Sequence, residues 1–149
     1  PPMDSPARRD YLHNDMRRSA AFFGVPYVHP VKLPLSSHLA ARLYHGVVSE
    51  DPARAHGLAR RLFAAFFTEQ ADISDEATVL RLAGEVGVGA ERAAEGIKGP
   101  DGRAMLERAV DEAIEAGVVG SPYFLVDGEG FFGADRLPQL RWFLSGGER

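Results

Sequence analysis

The stretch from Ser121 to Gly133 limits the possible folds of this chain more than any other part of the sequence. It reads SPYFLVDGEGFFG, which is rich in aromatic residues and carries Asp127-Gly128 at its centre, a pair typical of two-residue hairpin turns. The run YFLV before that pair is apolar on both faces, as in a strand that is covered from both sides. The sequence therefore predicts a buried β-hairpin near its end.

Before this hairpin, apolar residues recur at the spacing of helices. Capping residues and terminal glycines predict six helices. The first is opened by Ser5-Pro6 and ended by Gly24, the second covers 38–48, and the third is opened by Asp51-Pro52. The fourth is capped by Ser74 and closed by Gly87, the fifth is weakly predicted over 90–97, and the sixth is capped by Asp101 and ended by Gly117. A last helix is predicted to follow the hairpin, with Asp135 as its capping residue. On the third helix, Phe63, Phe66 and Phe67 are predicted to face the core.

The balance of these elements is unusual, because one hairpin accompanies six or seven helices. A lone hairpin is marginal in water and needs further strands or helices to cover it. The sequence therefore predicts an α/β protein whose central strands lie outside these 149 residues or come from another chain. Residues 1–117 are predicted to be mainly helical, and residues 118–149 to hold the hairpin and the final helix.

Charge and composition remove several classes of function. The formal net charge of -4 and the lack of a basic run argue against nucleic acid or an anionic membrane as partner. No apolar stretch approaches the roughly 20 residues of a membrane span, and the first residues have no apolar signal-peptide core, so a cytoplasmic protein is predicted. Because the sequence has no cysteine, any thiol that it handles must come from a ligand.

The histidines do not form a metal-binding pattern. The five of them are His13, His29, His38, His45 and His56. Their spacings lack the paired and carboxylate-supported arrangement of metal sites. We therefore predict surface or packing histidines and no metal site.

Three segments resemble parts of a known family. The run VVGSPYFLVDGEGFFGADRL resembles the end of the thioredoxin-fold domain in 2-hydroxychromene-2-carboxylate isomerases and kappa-class glutathione transferases. The opening PPMDSPARRDYLHNDMRRSAAFFGVPYVHP and the run EQADISDEATVLRLAGEVG are similar to the entry and the middle of that family's inserted helical domain. The resemblance implies a DsbA-like thioredoxin fold with an inserted all-helical domain. The strand, helix and strand that begin the family's fold are not in this sequence, so we expect a longer parent protein.

The resemblance also implies a glutathione site. In the family a cis-proline precedes the third strand, so the Ser121-Pro122 bond is predicted to be cis and the Ser121 backbone to pair with the cysteinyl part of glutathione. By the same resemblance, Asp135 would hold the γ-glutamyl ammonium, and the backbone N–H of Ala134 would meet the γ-glutamyl carboxylate. Arg8 stands where the family usually has a lysine that meets the glycine carboxylate.

Plainer interpretations of these residues stay open at this point. Ser121-Pro122 reads equally well as an ordinary trans start of a strand, and Asp135 as a helix cap that needs no ligand. Arg8 and Arg136 would also be ordinary as solvated surface charges, although Arg136 could pair with Asp135. The family usually has asparagine or serine where this sequence has Ala134, so a side-chain contact to glutathione is missing. The family further suggests that one of the three phenylalanines lines an aromatic-substrate pocket.

The function that the resemblance implies is a glutathione-dependent cis–trans isomerase of an aromatic α-keto acid or its cyclic hemiketal, or a closely related transferase. In such a reaction the glutathione thiolate adds to a conjugated double bond, the resulting single bond rotates, and elimination restores the double bond. The family's catalytic serine is not in this sequence, so the catalytic residue is unknown. The alternative is a non-catalytic thioredoxin-fold binding module. A dithiol oxidoreductase is disfavoured by the lack of cysteine, and a homodimer is expected because relatives are often dimers.

Overall fold

The computed structural model describes residues 5–147, and secondary structure covers most of them. In chain order the elements are α1 (Pro6–Phe23), α2 (His38–Val48), α3 (Pro52–Thr68), α4 (Glu76–Glu85), α5 (Ala90–Lys98), α6 (Pro100–Glu115), β1 (Tyr123–Val126), β2 (Glu129–Phe132), a 3-10 turn (Ala134–Arg136) and α7 (Leu137–Leu144). The predicted helices and the predicted hairpin are all present, including the weak helix after residue 90.

Two helix ends lie at the residues that the sequence predicts for them, the start of α3 at Asp51 and the end of α1 at Gly24. The Asp51 carboxylate accepts a hydrogen bond from the Arg54 N–H at 3.0 Å and so caps the start of α3. Gly24 ends α1 with φ 65°, a left-handed conformation that glycine adopts without steric cost. These caps fix where α1 stops and where α3 begins.

Two other predicted caps are wrong. Ser5 precedes α1, but its hydroxyl makes no capping hydrogen bond. At α4 the cap is Asp75, which accepts from the Thr78 N–H at 2.8 Å, and not Ser74. Ser74 instead contacts Asp72, two residues before it, because its N–H donates a hydrogen bond to the Asp72 carboxylate at 2.9 Å. Hydrogen bonds from Ser74 and then Lys32 lower the pKa of Asp72 to about 2.

Asp101 is also not a cap. Helix α6 begins at Pro100, so Asp101 lies inside its first turn. A proline at the first position of a helix loses no hydrogen bond, because that N–H has no partner within the helix. The helix can therefore start one residue earlier than the carboxylate suggests.

The helices α2 to α5 enclose a continuous hydrophobic core. Its fifteen buried members among the described residues are Ala40, Leu43, Val47, Ala55, Leu58, Leu62, Ala65, Phe66, Ile73, Val79, Leu82, Ala83, Val88, Ala93 and Ile97. Burying one leucine or isoleucine side chain contributes about 1.5–3 kcal/mol, so this cluster is the main source of stability in the helical part of the chain. By contrast, α1 has no buried residue.

One of the phenylalanines predicted to face this core does not. Phe66 is buried and Phe67 packs against the cluster, as predicted. Phe63 is 65% exposed, so its predicted core position is wrong. Phe63 lines a cavity at the surface of the helical part of the chain instead of packing into the core.

The last part of the chain is built on a two-stranded antiparallel hairpin. Tyr123 pairs with Phe132 and Val126 with Glu129, which leaves a two-residue turn. Asp127 and Gly128 both have positive φ, 51° and 84°, the geometry that such turns require. The prediction of a hairpin at the Asp-Gly pair is confirmed.

The predicted burial of β1 on both faces is wrong for the described residues. Leu125 is 52% exposed, and the described sheet contains only β1 and β2. On the covered face, the rings of Phe131 and Phe143 lie 5.5 Å apart, and Leu140 of α7 is buried. One helix covers one face of the hairpin, and β2 is the only described strand that pairs with β1.

Contacts divide the chain into two compact units, one that ends at Leu106 and one that begins at Glu107. We call them the helical unit and the C-terminal unit. The division falls inside α6, whereas the sequence predicts a boundary after Gly117, beyond the end of that helix.

Candidate binding site at the open end of the hairpin

The C-terminal unit enters its first strand through a cis peptide bond between Ser121 and Pro122, as predicted. Gly120 precedes this bond, and a Cβ atom at Gly120 would collide with the ring of Phe132. Only glycine allows that ring to lie against the backbone before the strand. Ser121 itself is exposed.

A single hydrogen bond brings the two halves of the predicted site together. The Gly133 N–H donates to the Pro122 carbonyl oxygen at 2.9 Å, one step beyond the Tyr123–Phe132 pair of the sheet. Ser121 and Ala134 therefore flank one end of the hairpin, although they are far apart in sequence. This end lies opposite the Asp127-Gly128 turn.

Gly133 shapes this end of the hairpin. Its φ of 103° is a conformation that residues with a side chain rarely adopt, and a Cβ atom there would collide with the Asp135 carboxylate. The Arg136 N–H then donates to the Gly133 carbonyl at 3.2 Å and closes the 3-10 turn. The backbone thus holds the Asp135 carboxylate directly over Gly133.

The prediction that Asp135 caps the last helix is wrong. The chain takes a 3-10 turn first, so α7 begins at Leu137 with Arg136 before it, and no side chain caps that start. The Asp135 carboxylate is 72% exposed and lies 3.5 Å from the guanidinium of Arg136, which is itself half exposed. A carboxylate that is not used as a cap can accept hydrogen bonds from a ligand.

Arg8 lies in the other unit. It is an exposed residue in the first turn of α1, within the helical unit. The structure therefore brings together Ser121, Pro122, Ala134 and Asp135, and it assigns Arg8 to a separate unit.

The helical unit contains a cluster of histidine and tyrosine that sequence reasoning missed. The rings of His13 and His29 lie 4.4 Å apart, and the Tyr27 hydroxyl is 2.7 Å from His29 Nδ1. His13 Nε2 is shielded from solvent and has no hydrogen-bond partner among the described residues. Burial lowers the pKa of His29, and the nearby His13 and Arg17 lower it further.

No sequence pattern reveals this cluster. His13 belongs to α1, while Tyr27 and His29 belong to the loop that follows it. That loop contains a second cis bond, between Leu33 and Pro34, and its path decides which residues meet. The prediction that these histidines are surface or packing residues stands, but their pairing is visible only in three dimensions.

Two kinds of site are not found in the described part of the chain. Residues 5–147 contain no group of three or more histidine, aspartate or glutamate side chains arranged to hold a metal ion. Within the same residues, no helix combines the length and the apolar character needed to cross a membrane.

A strand entered through a cis-proline, a hairpin and a closing helix define the end of a thioredoxin-type domain. A model of the DSBA-like thioredoxin domain matches residues 1–145. The chain therefore belongs to the family of DsbA-like thioredoxin-fold proteins, and the predicted fold class is confirmed.

Individual relatives agree with this family. A 2-hydroxychromene-2-carboxylate isomerase from Sphingobium xenophagum is 30% identical over 130 residues, which cover 87% of this chain and 65% of the relative. Glutathione S-transferase kappa 2 from Caenorhabditis elegans is 27% identical over 156 residues, covering 97% of this chain and 69% of the relative. The chain thus spans about two thirds of the length of both proteins.

A solved structure supports the fold. A selenomethionine form of 2-hydroxychromene-2-carboxylate isomerase superimposes with a TM-score of 0.81 over 94% of this chain and 67% of that one. Their sequences are 23% identical, so this match supports the shared fold alone. Together the comparisons place the chain among relatives that are isomerases and glutathione transferases.

Proposed function

We propose that the protein binds glutathione at the open end of the hairpin and serves as a glutathione-dependent cis–trans isomerase of an aromatic α-keto acid or its cyclic hemiketal, or as a closely related transferase. The observation that carries this proposal is the Gly133–Pro122 hydrogen bond, because it sets an exposed backbone segment beside an exposed carboxylate. The names of the two relatives, one an isomerase and one a glutathione transferase, support the same class of chemistry.

The residues at this end of the hairpin fit a γ-glutamyl peptide. The Asp135 carboxylate would pair with the γ-glutamyl ammonium, a charge-assisted contact that is stronger than a neutral hydrogen bond. The backbone of Ser121 would add the cysteinyl residue as a short neighbouring strand, and the Ala134 N–H would donate to the γ-glutamyl carboxylate. The contact of Arg8 with the glycine carboxylate stays a prediction.

Bound glutathione would supply a thiolate for reversible addition to a conjugated double bond. The residues of this chain would contribute binding and orientation, which lower the entropy cost of bringing the thiolate to its target. Ser121 and Asp135 would fix the peptide at both ends of its γ-glutamyl-cysteine portion, so that the sulfur points in one direction.

Calorimetric titration of the 149-residue chain with glutathione tests this proposal. We expect Asp135→Asn to weaken binding by about 1–3 kcal/mol, because the substitution removes the charged partner of the ammonium. The matched control is Asp127→Asn at the opposite end of the hairpin, which should leave binding unchanged. Cysteinylglycine lacks the γ-glutamyl group, so its weaker binding should be insensitive to Asp135→Asn. Equal glutathione affinity in both variants would overturn the assignment of Asp135.

An absorbance assay with 2-hydroxychromene-2-carboxylate and glutathione separates catalysis from binding. Turnover of this substrate supports the isomerase. Glutathione binding without turnover of this substrate or of a standard aromatic electrophile supports the binding module instead. The predicted homodimer stays a prediction, and sedimentation of the same sample tests it.

A further inference from the structure

The helical unit contains a cluster of imidazole and thioether groups that the proposed glutathione site does not use. The rings of His13 and His29 lie 4.4 Å apart, and the sulfur of Met16 lies 3.7 Å from the Tyr27 hydroxyl. His13 and Met16 are three residues apart on α1, so they share one face of that helix. Groups from α1 and from the loop after it therefore meet at one place.

The loop that carries His29 is fixed to the end of α3. The Val28 N–H donates to the Phe67 carbonyl oxygen at 2.6 Å. The side-chain amide of Gln70 donates to the His29 carbonyl oxygen at 3.4 Å. These two hydrogen bonds hold the backbone on both sides of the His29 side chain, so the ring is held in position against α1.

The hydrogen bonds of Tyr27 determine which nitrogen of His29 carries the proton. The single hydroxyl hydrogen of Tyr27 is donated to the sulfur of Met16, so the Tyr27 oxygen accepts from His29 Nδ1 at 2.7 Å. The neutral His29 ring is then protonated at Nδ1 and has a lone pair on Nε2. Histidines that ligate metal ions have this arrangement, in which the other ring nitrogen donates to an oxygen of the protein.

The second imidazole also has an unused nitrogen. His13 Nε2 is shielded from solvent, and no described residue forms a hydrogen bond with it. Shielded polar atoms without a partner are rare in folded proteins and often mark the place of a water molecule or an ion. Bonds between a metal ion and an imidazole nitrogen are about 2.0–2.1 Å long, so a separation of 4.4 Å allows both rings to contact one ion.

The chemistry of the three groups favours a soft ion. Within residues 5–147, no carboxylates join the two histidines to form a larger cluster of metal ligands. Calcium and magnesium need oxygen ligands, whereas a thioether beside imidazoles suits Cu(I). Burial, then His13 and then Arg17 lower the pKa of His29, so the positive charge of Arg17 acts at this ring. That charge repels a monovalent ion half as strongly as a divalent ion.

We propose that His13, Met16 and His29 form a binding site for Cu(I). The ligand atoms are His13 Nε2, His29 Nε2 and Met16 Sδ, and Tyr27 orients the His29 ring. The spacing of histidines along the sequence does not predict this role, because one imidazole comes from a helix and the other from a loop. The site uses neither glutathione nor any residue of the C-terminal unit, so it goes beyond the proposed function.

Anaerobic titration of the 149-residue chain with Cu(I) against the chelator bicinchoninate, without glutathione, tests the proposal. We expect one Cu(I) per chain, and no thiolate can contribute because the sequence has no cysteine. His13→Gln and His29→Gln should each weaken binding at least tenfold, and Met16→Leu several-fold. The matched controls, His56→Gln in α3 and Met105→Leu in α6, should leave the affinity unchanged.

Two further measurements separate Cu(I) binding from a change in packing and from a plain nitrogen site. Met16 is 36% exposed and leucine has a similar volume, so Met16→Leu should keep the melting temperature. Arg17→Gln should strengthen Cu(I) binding, since it removes a repulsive charge. Zn(II) should bind more weakly than Cu(I) and be insensitive to Met16→Leu.

Three results would overturn the proposal. The first is a chain that does not compete with bicinchoninate for Cu(I). The second is equal Cu(I) affinity in Met16→Leu and Met105→Leu, which would show that the thioether of Met16 is not a ligand. The third is Zn(II) binding that is tighter than Cu(I) binding, which would contradict a soft site.

Discussion

The two units of this protein differ in how they are held together. The helical unit encloses a continuous core of fifteen buried hydrophobic residues, whereas Leu140 is the one buried hydrophobic residue among the described positions of the C-terminal unit. The candidate glutathione site lies in the unit with the smaller core. The larger core and the candidate ligand site thus lie in different parts of the chain.

This difference has a physical consequence for the hairpin. Regions with few buried apolar contacts open at low free energy, and a two-stranded hairpin is marginal by itself. A ligand that adds backbone hydrogen bonds to Ser121 and a charged contact to Asp135 would stabilise the C-terminal unit in proportion to its occupancy. We therefore expect ligand-dependent order in one unit and ligand-independent order in the other.

The largest expected effect comes from removing core volume in the helical unit. Leu58 is completely buried, so Leu58→Ala should destabilise this unit by about 2–5 kcal/mol, the cost of lost transfer energy and a residual cavity. Leu140→Ala should leave the main thermal transition in place. Differential scanning calorimetry measures both, and a shift in that transition as large for Leu140→Ala as for Leu58→Ala would mean that the units unfold as one.

Glycine-to-alanine substitutions should act in opposite directions in the two units. Gly133→Ala places a side chain at φ 103° and against the Asp135 carboxylate, which should cost about 1–3 kcal/mol of local stability and weaken glutathione binding. Gly57 lies inside α3, and a Cβ atom there would meet no neighbour, so Gly57→Ala should stabilise the helical unit by about 0.5–1 kcal/mol. Thermal unfolding and calorimetry together check both signs. Unchanged glutathione affinity in Gly133→Ala would contradict the proposed geometry.

A smaller effect is expected from acid. Because burial, His13 and Arg17 lower the pKa of His29 in the folded protein, the unfolded chain binds a proton at this residue more readily. The stability that depends on neutral His29 is therefore present above the ordinary histidine pKa of about 6.5 and declines as the pH falls below it. Melting temperatures between pH 8 and pH 5 should fall more steeply in the natural sequence than in His29→Gln. Parallel profiles would show that His29 does not couple protonation to folding.

Much of this fold follows from local sequence patterns. The spacing of apolar residues predicts α2 at its observed limits, and Asp127-Gly128 predicts the hairpin because both residues tolerate positive φ. The site residues Ser121, which lies before β1, and Asp135, which lies before α7, are identified through the resemblance of the sequence to a family. The hydrogen bond between Pro122 and Gly133 then brings them together.

Other features depend on contacts between distant residues. Asp75 caps α4 in place of Ser74, because Ser74 is held by Asp72, which Lys32 also contacts from an earlier loop. Phe63 and Phe66 belong to the same apolar run of α3, yet Phe63 is 65% exposed and Phe66 is buried. Patterns along the chain do not contain this information.

Amide hydrogen exchange with and without glutathione tests the central claim most directly. We predict slow exchange in α2 to α5 under both conditions, and fast exchange over residues 121–136 that slows several-fold when glutathione is present at saturating concentration. In Asp135→Asn the same glutathione concentration should give less protection of residues 121–136. Exchange over residues 121–136 that is the same with and without glutathione, or protection that appears only in the helical unit, would contradict a glutathione site at the open end of the hairpin.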